Sequence, residues 1–135
     1  MSDGQIIALD LGMSKTGIAR ASAAARLVEP LHSVPTGQLL TQLADLDQQQ
    51  PLQAIVVGLP RNLNGEDTSQ TTWVRQWVAR AKTDVKWPLY WQDEALTSRL
   101  AGAHKSKHPL DEDALAAATI LQDFLDSDEA DRVRC

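Results

Sequence analysis

Gln5-Ile6-Ile7-Ala8-Leu9-Asp10-Leu11-Gly12 is the stretch on which the fold turns. Ile6 to Leu9 is an unbroken apolar run of strand length, as expected for a strand covered on both faces, and it ends on a carboxylate. Gly12 and Gly17 bracket a tight turn through Met13-Ser14-Lys15-Thr16. Residues 18–22 are therefore expected to return as an antiparallel strand. Residues 27–34 read as a third strand, and Pro30 favours an edge position because it has no N–H to give to a neighbour.

Downstream the period changes. Leu39, Leu40, Leu43, Ala44 and Leu46 have helical spacing, which predicts a helix over 37–50 that Pro51 stops. Ala54-Ile55-Val56-Val57-Gly58 is continuous and β-branched, the pattern of a central parallel strand. A loop follows, Leu59-Pro60-Arg61-Asn62-Leu63-Asn64-Gly65, with an Asn-Gly turn signal. A helix is expected over 68–82, with Trp73, Val74, Trp77, Val78 and Ala81 on one side, so its tryptophans are expected in the core. A strand over 89–92, a short helix over 97–103, a basic loop over 104–109 and a last helix over 112–126 complete the chain. By alternation Trp87 and Trp91 share a face with Leu89. The expected architecture is α/β: a mixed five-stranded sheet, three antiparallel strands and then parallel ones, flanked by helices.

At 135 residues the chain is expected to form one domain, with an acidic flexible tail from about 127. No apolar run approaches the ~20 residues of a membrane span, so a membrane role is not expected. The start, Met1-Ser2-Asp3-Gly4, does not resemble a secretion signal. One cysteine, Cys135, offers no internal disulfide and reads as a loose thiol in the tail, which makes a reducing cytoplasmic setting the expectation. The net charge of -5 argues against a polyanionic partner until it is divided along the chain. Residues from 111 onward carry 8 acids and 2 bases, leaving 10 acids and 11 bases in the body. Overall charge therefore neither supports nor excludes nucleic acid, and local charge must decide.

Three carboxylates stand where a folded chain can bring them together. Asp10 ends the first strand, Glu94 follows the strand over 89–92, and Asp113 opens the last helix. Converging carboxylates suit a divalent cation, because hard cations take oxygen ligands. The residues alone leave alternatives. Asp10 can cap a turn, Asp93 has the same chemistry as Glu94, and Asp111 or Glu112 can do what Asp113 does, including helix capping. Lys15, Arg61, Asn62, Arg99, Lys105 and Lys107 are the candidate contacts to a nucleic-acid backbone. Each also has a plainer reading, as a turn residue or a solvated loop cation. His104 and His108 lack the partners of a metal motif.

Ala8-Leu9-Asp10-Leu11-Gly12 with Gly17-Ile18-Ala19 resembles the opening motif of the YqgF/RuvX family. The likeness continues in order through Val28-Glu29-Pro30-Leu31, Val56-Val57-Gly58-Leu59-Pro60 with Asn64-Gly65, Asp93-Glu94-Ala95-Leu96-Thr97-Ser98, and Asp113-Ala114-Leu115-Ala116-Ala117. Each motif alone is weak, but five in order over nearly the whole chain are specific. The resemblance implies an RNase H-like fold and metal-binding acids at Asp10, Glu94 and Asp113. It also implies a nuclease that uses Mg²⁺ or Mn²⁺, as a pair of ions, to hydrolyse phosphodiesters. The substrate it implies is the precursor of 16S ribosomal RNA, with a Holliday junction resolvase as the alternative. A resolvase cuts two strands symmetrically and would be a homodimer. Ala95 stands where relatives often carry arginine, and the segment between Glu94 and Asp113 is short for the family. Those departures keep a non-catalytic nucleic-acid-binding factor in view. A sugar-kinase-like phosphotransferase shares the Asp-x-Gly opening, but the chain is too short for two lobes around ATP.

Overall fold

The structure is a computed structural model that describes residues 4–93 and 111–135. The chain runs β1 (Gln5–Asp10), β2 (Lys15–Ser22), β3 (Val28–Pro35), α1 (Leu39–Gln49), β4 (Leu52–Leu59), α2 (Ser69–Asp84), β5 (Leu89–Asp93), α3 (Glu112–Asp126) and β6 (Val133–Arg134). The sheet order is β3-β2-β1-β4-β5-β6. β1 pairs antiparallel with β2 and parallel with β4, and β4 pairs parallel with β5. β3 lies at the edge, where the missing N–H of Pro30 does no harm, and a register shift opposite Ile18 and Ala19 bends it.

The expected five strands become six. The residues expected as a flexible tail form a 3-10 turn at Glu129–Asp131 and then β6, which pairs antiparallel with β5. The tail is held because the Cys135 N–H donates to Leu89 O at 2.8 Å and the Arg132 guanidinium lies 4.3 Å over the Phe124 ring. Cys135 is accordingly half-buried and packed against the core. Burial pushes its thiol up to about 12, against the opposing pull of Lys82 and Arg134. A two-residue strand has no period to read, so sequence alone could not show it.

Alternation along β1 and β4 divides the core in two. Ile7, Leu9, Ile55 and Val57 face α1 and α2, where Leu39, Leu43, Leu46, Val74 and Val78 cover them. All four tryptophans pack, half-buried, against that side. Ala8, Ala19, Ala21 and Val56 face α3 with Ala117, Ile120, Leu121 and Phe124. The α3 face is thus lined by small residues, and a helix can lie close to the sheet there. Gln5, fully buried, closes the end of α1 by donating through Nε2 to Leu46 O at 2.9 Å and Gln50 O at 2.7 Å.

Candidate active site

Asp10 is the last residue of β1 and shares a face with Ala8, so the pleat presents it toward α3. Its register partner on β2 is Gly17. A methyl group built on Gly17 would lie 2.8 Å from Ala114 N and closer still to Asp113 C and O. The first turn of α3 therefore rests directly on the backbone of β2, in the space a side chain would need. That contact carries Asp113 to the end of β1.

The charge of Asp113 acts on Asp10. Asp10 has its pKa raised to about 6, first by burial and then by the charge of Asp113. The opposing charge is Lys15, whose Nζ lies 3.4 Å from Asp113 Oδ2 and remains mostly exposed. Lys15 therefore lies beside Asp113. Thr16 and Thr36 fix that turn from beneath. Their hydroxyls are 2.9 Å apart, Thr36 Oγ1 donates to Gly12 O at 2.6 Å, and Thr36 N donates to Ser14 O at 3.0 Å.

Tertiary contacts give Asp111 and Asp113 different surroundings. Asp111 is the N-cap of α3, its Oδ1 accepting from Asp113 N at 2.9 Å and Ala114 N at 3.2 Å. Its Oδ2 accepts from Ser33 N at 3.0 Å and from Ser33 Oγ, tying the helix start to edge strand β3. Burial alone would raise the Asp111 pKa, but the bonds from Ser33, Ala114 and Asp113 outweigh it and the net shift is downward. Asp111 is committed to the cap, whereas the Asp113 carboxylate is near enough for its charge to raise the Asp10 pKa. At its far end α3 is held by Arg26, whose guanidinium donates to Leu125 O. Asp111, Ser33 and Arg26 are functional supports that sequence reasoning missed. A capping signal at Asp111 was legible, but its partner on another strand was not.

Asp93 ends β5 on the side of the sheet that α1 and α2 cover. It shares a face with Leu89 and Trp91 and pairs with the Arg61 guanidinium. Arg61 is thereby engaged with a protein carboxylate, and its buried Nε has no partner among the described residues. Asn62 braces its own loop. Its Oδ1 accepts from Asn64 N at 3.0 Å and Glu66 N at 2.9 Å, and its Nδ2 donates to Glu66 Oε1 at 3.3 Å. Glu94, Arg99, Lys105 and Lys107 lie outside the described residues, as do Ala95, Thr97, Ser98, His104 and His108. Among the described residues no three acids, histidines or cysteines form a metal-sized group. Asp10 and Asp113 are two hard oxygen donors whose mutual repulsion a divalent cation would relieve, so what is described of the site fits such an ion.

A family model described as "RuvX: Holliday junction resolvase" matches residues 4–127. Proteins named "Putative pre-16S rRNA nuclease" are similar along nearly their whole length. That of Porphyromonas gingivalis is 32% identical, with 92% of this chain and 97% of that protein covered. The Chloroflexus aurantiacus protein is 33% identical, covering 94% and 90%. The one from Rickettsia rickettsii is 30% identical, covering 90% and 86%. Among solved structures, Thermus thermophilus RuvC with a Holliday junction substrate superposes at a TM-score of 0.58, covering 98% of this chain and 99% of that one. Another T. thermophilus RuvC structure gives 0.56, covering 97% and 99%. At 14% identity these two likenesses establish an RNase H-like fold.

Proposed function

Because this chain belongs to the RuvX family, we propose that it is a nuclease that hydrolyses phosphodiester bonds, with the precursor of 16S ribosomal RNA as its substrate. The observation that carries this reading is the meeting of Asp10 and Asp113 across Gly17, with Asp10 titrating near 6. Such a pair serves no purpose in packing and is disfavoured on its own. Glu94 is the third acid of the proposed set, and the commitment of Asp93 to Arg61 supports that choice.

Mg²⁺ or Mn²⁺, as one ion or a pair, would be held by Asp10, Asp113 and Glu94. Bound there, the cation supplies neutralisation of the negative charge that grows on a phosphate under attack. The chain's own residues do the rest. Asp10 is fixed at the end of a central strand and Asp113 at a capped helix start, so both carboxylates are oriented before substrate arrives. Lys15 places its ammonium beside Asp113, where it would draw in and align the scissile phosphate. Arg99, Lys105 and Lys107 are proposed as further backbone contacts. Cytoplasmic residence is part of the proposal. It is supported by the lack of any disulfide partner for Cys135, and no helix among the described residues is long and apolar enough to cross a membrane.

The description of the matching family model favours a second reading, a resolvase of branched DNA acting as a homodimer. Both are tested by incubating the purified chain with precursor rRNA, single-stranded RNA and four-way DNA under Mg²⁺ or Mn²⁺, and mapping the product ends. Cleavage of precursor rRNA that Asp10→Asn abolishes is the expected result. Preferential, symmetric cutting of four-way DNA would replace it with the second reading. Binding without cleavage of any substrate would reduce the chain to a binding factor.

A further inference from the structure

Two large apolar side chains stand in water at the end of the sheet where Asp10 lies. Met13 and Leu63 are each 69% exposed. They belong to the loops that follow β1 and β4, which are adjacent and parallel, with Leu9 opposite Val57. Both loops therefore lie at the same end of the sheet as Asp10. Leu27 and Val133 are also exposed, but Leu27 sits in the β2–β3 turn at the opposite end and Val133 on the outermost strand. Scattered exposed apolar residues need no explanation, whereas two at one rim of a site do.

Their supports are more telling than their exposure. The loop carrying Leu63 is closed by a bridge between Arg61 and Asp67, by Asn62 N to Glu66 O at 3.0 Å, and by Gly65 N to Asn62 O at 2.9 Å. Gly65 takes the left-handed conformation, with φ at 77°, that lets the chain turn back. The Asn62 side chain spans the inside of the loop, and Arg61 anchors it to Asp93 at the end of β5. Loop polar groups are spent on holding the loop, and none of this covers Leu63. The Met13 turn is equally fixed. A methyl on Gly12 would sit 2.5 Å from Lys15 O, and Thr36 ties the turn from below. Rigid presentation of an apolar tip costs water contact in the free protein and loses little entropy on binding, so it is suited to a pre-shaped apolar target.

Apolar wedges of this kind part stacked bases when set against nucleic acid. We infer that Met13 and Leu63 flank the cleavage position as wedges that slide between bases, so that the substrate is strand whose bases are unpaired or easily parted there. The inference rests on the nuclease reading for its target and concerns the bases instead of the phosphate.

The test uses the full chain and an RNA carrying 2-aminopurine, which brightens on unstacking, next to the mapped cleavage position or, where nothing is cut, at the centre of the protected footprint. One version is fully paired there and another holds an internal loop. In an Asp10→Asn background, binding of the paired RNA is expected to brighten the probe several-fold. Adding Leu63→Ser or Met13→Ser should cut that rise at least twofold, and both together should remove it. In the active chain, Leu63→Ser should lower kcat/KM on the paired RNA at least tenfold more than on the looped one, while Leu27→Ser alters neither. Equal losses on both RNAs, or an unchanged probe signal, would overturn the wedge. So would a change of oligomeric state on Leu63→Ser without a probe effect, which would make the tip a protein contact. If the chain binds and brightens the probe but cuts nothing, the wedge stands and the nuclease reading falls. A chain that neither binds nor cuts overturns both.

Discussion

Replacing Gly17 with alanine sets the sheet against the helix that carries Asp113. The added methyl would lie 2.8 Å from Ala114 N and nearer to the Asp113 carbonyl, whereas ordinary contact begins at 3.4 Å. The two backbones must separate by roughly 1 Å before the methyl fits. Neither side yields easily. β2 is paired on both edges, and the start of α3 is tied to Ser33 through Asp111. Overpacking of this kind costs about 1–3 kcal/mol, offset in part by the ~0.5–1 kcal/mol that alanine regains over glycine in regular structure. The functional effect should be larger, since a 1 Å displacement of a reacting group commonly costs on the order of 10²-fold in rate. Urea unfolding should therefore show a loss of about 1–2 kcal/mol, and cleavage should fall about 100-fold. An NMR titration of Asp10 adds a third readout. As Asp113 recedes, the Asp10 pKa should drop from about 6 while staying above 3.8, because burial remains. Gly37→Ala, where nothing lies within 4 Å of the added methyl, is the control. Wild-type stability, cleavage and Asp10 titration in Gly17→Ala would refute the idea that this contact sets the site.

Other outcomes follow from the same geometry. Asp10 is held above its ordinary 3.8 in the folded state, so the folded chain keeps a proton between about pH 4 and 6 that the unfolded chain releases. Metal-free stability should therefore fall as pH rises through that window. Asp10→Asn should remove the slope, stabilise the metal-free chain at pH 7 by on the order of 2 kcal/mol and abolish cleavage, read by denaturation across pH. Asp111 has the opposite sign. Its lowered pKa contributes stability that is present above the ordinary carboxylate range and lost as pH falls through the depressed value. Asp111→Ala should cost about 1–2 kcal/mol by urea unfolding, through loss of the cap and of the link to Ser33, and should reduce cleavage although Asp113 is intact. Millimolar Mg²⁺ or Mn²⁺ should raise Tm, with about 2.7 kcal/mol of stabilisation when the ion is at 100 times its Kd. A Tm indifferent to both ions, or a rise that persists in Asp10→Asn, would count against these carboxylates as the metal site.

Much of this was legible before folding. The run Ile6–Leu9 reads as a strand that ends on Asp10, and the helical spacing after Asp113 reads as the last helix; that this helix covers the face of Ala8 is seen only in the fold. Those are local periodicities, and a period is a property of neighbouring residues. Asn62 was less legible. An Asn in a turn can serve the turn or a ligand with the same amide, and only the fold shows that Asn62 bonds Asn64 and Glu66 within its loop. The sixth strand escaped because two residues carry no pattern of their own.

From its sequence alone this protein was determined to be an α/β chain with a carboxylate at the end of its first strand and acids at the start of its last helix. Only the tertiary structure decided that Asp111 caps and that the charge of Asp113 acts on Asp10. Adjacent acids share one chemistry, so their roles are assigned by partners distant in the chain: Ser33 on one side, and on the other a glycine whose missing side chain lets a helix approach.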